Sequence, residues 1–164
     1  MFVVRPDLWK AHAESVLAAN EENVRKTFPE AKWEKYAGLQ RAYYRKIVPF
    51  LYSRCFGVWG LCRKVIASVT GCFRPIVRQV TESDMLAVQH KSCALAVQTF
   101  MLAMSEAGYD TCPLEGFDSA RVKKVLGLPC AARVNMIVSC GVRDEARLLT
   151  ERVRLPFEEQ YHRM

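Results

Sequence analysis

Residues 83–108 read SDMLAVQHKSCALAVQTFMLAMSEAG, and this stretch decides the fold. Leu86, His90, Cys93, Val97, Phe100, Met104 and Ala107 follow one another at alternating steps of four and three. That period marks one face of an α-helix, sustained here for about six turns. Ser83 is the expected N-cap and Gly108 the residue that ends the helix. Met85, Ala94, Ala96 and Met101 widen the apolar stripe, so a central helix is expected, with a subunit interface as the alternative.

Downstream, residues 112–129 read CPLEGFDSARVKKVLGLP. Pro113 stiffens a tight turn, Asp118 can cap a short helix, Gly127 ends it and Pro129 prevents its continuation. Capping does not require an acid at Glu115. The β-branched run RVNMIVSCG, 133–141, is then expected as a strand. In the tail TERVRLPFEEQYHRM, Arg152 and Arg154 alternate on an expected extended segment and so share one side.

Upstream, Phe2, Val3 and Val4 form a short expected strand, and Pro6 and Asp7 open a helix running to about Lys26. A second helical stretch starts after Pro29 and should break or kink at Pro49, which lacks an N–H and clashes with the preceding turn. Residues 55–75, CFGVWGLCRKVIASVTGCFRP, mix glycines and aromatics around a short helical pattern. They read as an inserted flap; an interfacial membrane helix and plain packing on the same domain are the alternatives. The order of elements makes the chain α+β, a single domain over 1–164 with a basic aromatic flap at about 41–78.

With 164 residues, 51% of them hydrophobic, the chain can bury a core of its own. Its formal charge of +7 is uneven: Lys35, Arg41, Arg45, Lys46, Arg54, Arg63, Lys64, Arg74 and Arg78 fall between Glu34 and Glu82 with no acid among them. No nucleic-acid-binding signature accompanies this excess, so no nucleic-acid partner is expected. The seven cysteines are odd in number and lack a CxxC pair; most sit in apolar runs, which suggests buried free thiols in a reducing compartment. No secretory signal or run long enough to span a membrane is read, and the expected location is cytoplasmic. His12, His90 and His162 share no spacing with a nucleophile or a ligand set, so neither a catalytic residue nor a metal site is assigned, and His90 reads as a satisfied core histidine.

GYDTCPLEGFD together with RVRLPFEEQY resembles the flavin-dependent nitroreductase family. The likeness is specific over residues 85 to 161 and weaker from Phe2 to Arg78. It implies FMN as cofactor and NAD(P)H as reductant, with electrons passing to a small acceptor such as a nitroaromatic or quinone, in a homodimer. It places Pro113, Leu114, Glu115 and Gly116 along the flavin ring, with backbone N–H groups of Glu115 and Gly116 at the reactive edge. It assigns Arg152 and Arg154 to the FMN phosphate, and the flap is taken to cover the acceptor. Met1 falls where the family has its second strand, so the earlier FMN-binding segment is missing; the abrupt strand at residue 2 favours a truncation, with a fragment of a longer chain and a site completed by a partner chain as the alternatives. A non-catalytic remnant that meets a membrane surface or an acidic partner through its basic aromatic stretch is the competing reading.

Overall fold

Three antiparallel strands, β1 (Phe2–Val4), β2 (Asp110–Leu114) and β3 (Arg133–Gly141), form a sheet in the order β1-β3-β2. The computed structural model describes residues 1–147 and 155–161. Register runs from Asp110 opposite Gly141 to Leu114 opposite Ile137, and β1 pairs with the start of β3 through an irregularity between Phe2 and Val3. Pro113 stands within β2, where an edge position spares it a ladder bond on its outer side. What the sequence suggested as one tight turn therefore begins as a strand, because β3 offers a full register to Asp110–Leu114.

The helices are α1 (Trp9–Thr27), α2 (Glu30–Ala42), α3 (Val48–Tyr52), α4 (Val58–Thr70), α5 (Glu82–Glu106), α6 (Ser119–Val125) and the single turn α7 (Phe157–Gln160). α5 lies across the sheet and is the central element. Val97 is 2% exposed at its middle, and Phe100 meets Phe2 of β1 edge to face at 5.7 Å. The periodic seam faces inward, as the spacing predicts, with Leu86, His90, Cys93, Phe100 and Met104 half-buried around Val97. Asn135 of β3 secures this contact: its Nδ2 lies 2.9 Å from His90 Nδ1 and donates to His90 O at 3.2 Å. His90 is thus partnered, in keeping with its reading as a satisfied core histidine.

The α5 N-cap is Thr81, two residues before the expected Ser83. Thr81 Oγ1 accepts from Asp84 N at 3.1 Å while Asp84 Oδ2 accepts from Thr81 N at 3.0 Å, a reciprocal box that Ser83 has no acid to complete. At the other end Gly108 takes φ +84°. There Tyr109 N donates to Met104 O and Gly108 N to Ser105 O, closing the last turn. Asp118 caps α6 by accepting from Ala120 N and Arg121 N, and Gly127 ends it at φ +61°.

α1 and α2 form a hairpin with Ala13, Leu17 and Val24 buried on one face of α1. Arg41 ties the pair together, donating to Glu21 at 2.6 Å and to Glu34 at 2.8 Å. The expected break at Pro49 is instead a π turn over Tyr43–Ile47. Val48 N donates to Tyr43 O, five residues back, so the ladder slips by one residue ahead of the proline that cannot donate.

The segment expected as an irregular flap contains the regular helix α4, which rests on the first turn of α5. The thiols also differ from expectation: Cys55, Cys62, Cys72, Cys112, Cys130 and Cys140 are exposed and Cys93 is half-buried. Apolar neighbours in sequence do not bury them, because the apolar faces of α4 and of β2 are themselves left open within one chain.

Candidate functional site

Two places in the molecule gather chemistry-bearing groups. The first is the segment that leaves edge strand β2 for α6. Pro113 and Leu114 end the strand, Leu114 with 45% of its side chain exposed, and Glu115 and Gly116 follow, both exposed. Phe117 N donates to Glu115 O at 3.0 Å, which folds the backbone toward the Asp118 cap. Among the described residues the N–H groups of Glu115 and Gly116 have no hydrogen-bond acceptor and the Glu115 carboxylate has no cation. Gly116 has an ordinary φ, and a Cβ built on it would meet nothing within 4 Å.

Neither backbone strain nor packing among the described residues therefore requires glycine at 116. What glycine does there is leave backbone and its N–H groups approachable by a flat body from outside. Two adjacent donors beside an apolar Leu114 wall suit the polar edge and apolar face of a fused heteroaromatic ring. Of the residues expected at the site, Pro113, Leu114, Glu115 and Gly116 are contiguous on this rim, whereas Arg152 and Arg154 lie outside the described residues.

The flap stands elsewhere. α5 is about 37 Å long at 1.5 Å per residue. β2 retraces no more than about 17 Å of that length. α4 rests on the Glu82 end of α5, whereas the rim follows the strand that leaves the other end.

The second place is a cleft of about 830 Å³ between β1, α1, α3 and α5. Trp9, Tyr43, Tyr44 and Tyr52 line it, Trp9 and Tyr52 stacked at 6.4 Å, and burial raises the Tyr52 phenol. Gln89 Oε1 is buried beside it without a partner among the described residues. No spacing rule could have found this cleft, since its lining comes from three separate stretches, residues 3–16, 43–52 and 89–93. Among the described residues no cluster of three or more His, Cys, Asp or Glu is placed to hold a metal ion.

The nitroreductase family model matches residues 3–142, which is most of the chain and includes the rim. The chain belongs to the nitroreductase family. Solved structures agree on the nitroreductase fold: a candidate nitroreductase, ydfN of Bacillus subtilis, superposes with a TM-score of 0.59 at 17% identity, covering 99% of this chain and 61% of that one. A nitroreductase family protein of Streptococcus pneumoniae gives 0.57 at 18% identity, covering 99% and 62%. Among curated proteins, Protein DrgA of Synechocystis is 38% identical over 55 residues, 34% of this chain and 26% of its own. MhqN of Bacillus subtilis, named as a candidate NAD(P)H nitroreductase, is 37% identical over 51 residues, 31% of this chain and 25% of its own. This nitroreductase family member thus spans about three fifths of the solved relatives and matches about a quarter of the curated ones.

Proposed function

We propose that this protein is an oxidoreductase of the nitroreductase type that holds FMN along the rim Pro113–Gly116. The reading is supported most by the rim itself, where exposed Leu114, Glu115 and Gly116 follow one another from edge strand β2 inside the stretch that the family model matches. Bound FMN would supply the carrier that accepts hydride from NAD(P)H and passes reducing equivalents to a small acceptor such as a nitroaromatic or quinone.

This chain's own part is orientation. Leu114 would present an apolar wall, and the N–H groups of Glu115 and Gly116 would donate to the ring edge. Backbone donors at that edge leave the Glu115 carboxylate without a proton-transfer duty. Arg152 and Arg154 would grip the phosphate with charge-assisted, bidentate hydrogen bonds. We place the enzyme in the cytoplasm, on its thiol-rich sequence and the absence of a membrane-crossing helix among the described residues. We further propose a homodimer through the outward stripe of α5, where Val88, Leu95 and Leu102 are exposed at seven-residue intervals, and not through the inward seam.

The deciding experiment loads the purified chain with FMN, removes free cofactor and records the visible spectrum. A retained flavin spectrum is expected, and Arg154→Ala should weaken FMN affinity by about 1–3 kcal/mol, the worth of a hydrogen bond to a charged group. A folded, colourless protein would sink the proposal.

A further inference from the structure

Helix α4 is packed inside out. Its inward stripe is Gly60, Arg63 and Ala67, all buried. Its outward stripe is Val58, Leu61, Val65, Ile66 and Val69, each between 52% and 62% exposed, at the three- and four-residue spacing of one helix face. Phe56 and Phe73 stand at the two ends of that stripe, 104% and 86% exposed. An ordinary surface helix turns its aliphatic residues toward the core and its small and charged ones outward. The reversal here is held in place by named contacts. Arg63 donates to Val80 O at 2.7 Å, to Phe50 O at 2.8 Å and to Ser53 O at 3.0 Å, and Gly60 lets the helix press against Glu82. The apolar arc is therefore presented on a fixed mount.

Charge identifies what meets it. Arg54, Lys64 and Arg74 are exposed around the arc, and no acid occurs from Lys35 to Thr81. The nearest acids, Glu82 and Asp84, belong to α5 on the packed side of α4, where Asp84 feels the Lys64 charge, so a second copy docked on the arc about a two-fold axis would set Arg54 and Arg74 against their own counterparts. An anionic lipid surface satisfies both halves of the pattern: the aliphatic arc enters the acyl boundary while the cations meet headgroups. A helix of 13 residues is too short to cross a bilayer, and no helix among the described residues is long and apolar enough to do so.

We infer that α4 is an interfacial helix that docks this protein on anionic phospholipid, through the arc from Phe56 to Phe73 and the cations Arg54, Lys64 and Arg74. The inference is independent of flavin binding.

Flotation of the full chain with phosphatidylcholine vesicles, with and without phosphatidylserine, tests it. Binding is expected only with phosphatidylserine and should fall as salt rises. Val65→Asp with Ile66→Asp should abolish it, and Arg54→Glu with Arg74→Glu should weaken it by about fivefold or more for each charge. All four side chains point outward, so thermal melts should match the parent, and Val125→Asp, on the exposed face of α6, should float like the parent. Three results overturn the inference: no flotation, equal flotation with phosphatidylcholine alone, or flotation untouched by Val65→Asp with Ile66→Asp while that pair disperses a dimer in sedimentation.

Discussion

The carboxylate of Glu82, in the first turn of α5, accepts the backbone N–H of Cys55 at 2.9 Å and so closes the N-terminal end of α4. One acidic side chain thereby serves two helices, because it also lies in the first turn of its own, where negative charge meets the positive end of the helix dipole.

Hydrogen bonds from Cys55, and from Gly57 and Gly60, hold the Glu82 carboxyl below the usual carboxylate range, helped by the Arg63 charge and opposed by burial. A carboxyl with a lowered folded pKa stabilises the protein in full above its unfolded value of about 4.3 and loses that contribution as pH falls through the folded value. Glu82→Gln should accordingly lower the urea midpoint at neutral pH and flatten its decline below about pH 4.3. Parallel pH profiles for the two proteins would show that Glu82 carries none of this linkage.

Gly60→Ala should destabilise the protein although alanine is the better helix former. The new Cβ would stand 2.8 Å from Glu82 N and 3.4 Å from Thr81 Cα, both backbone atoms that cannot rotate away. Overpacking of this kind costs about 1–3 kcal/mol, against a gain of about 1 from helix propensity. A lower melting temperature is the expected reading, and a raised one would mean that α4 can shift freely on α5.

Arg63 is 2% exposed and binds three carbonyls at the junction of α3, α4 and α5. Arg63→Met keeps the aliphatic stem and takes the guanidinium from Val80 O and Ser53 O, while Phe50 O keeps Trp59 Nε1 at 3.3 Å, at about 1–3 kcal/mol for each buried group left unpaired. Denaturant unfolding should show a loss of about 2 kcal/mol or more, only partly recovered in Arg63→Lys, whose ammonium lacks the planar fork. A loss within about 0.5 kcal/mol would place the junction among surface sites.

Gly116→Val separates ligand from fold. A Cβ at this exposed position meets nothing within 4 Å among the described residues, so unfolding free energy should stay within about 0.5 kcal/mol of the parent. FMN retention should be lost, because the isopropyl group would occupy the space left for the ring. Full retention in the visible spectrum would move the flavin away from this rim.

Much of the fold was legible in the residues themselves. The four-three rhythm from Leu86 to Ala107, the glycines at 108 and 127, the Asp118 cap and the β-branched run 133–141 are local signals, and local physics honoured each. The rim Pro113–Gly116 is what the family resemblance implies, and the structure places its four residues in sequence from the end of β2, exposed. What escaped was set by partners distant in sequence. Asp110–Leu114 became a strand because β3 lies beside it, and Thr81 rather than Ser83 capped α5 because of Asp84. α4 turned its aliphatic residues outward because Arg63 found three carbonyls inward. The aromatic cleft joins α1 to α3 and α5, and no short motif encodes such a meeting.

Both borders of the small sheet resist extension. On one side β2 carries Pro113, which has no N–H to offer a newcomer, and Asp110 is engaged by Arg143 through Nε at 3.0 Å. On the other, β1 is three residues long and broken in register between Phe2 and Val3. A strand from another molecule finds no row of regular, vacant donors and acceptors to copy. Among the described residues the exposed aliphatic side chains lie mostly on helices and in loops, Leu114 of β2 apart, so crowded copies should associate side by side and not by adding strands.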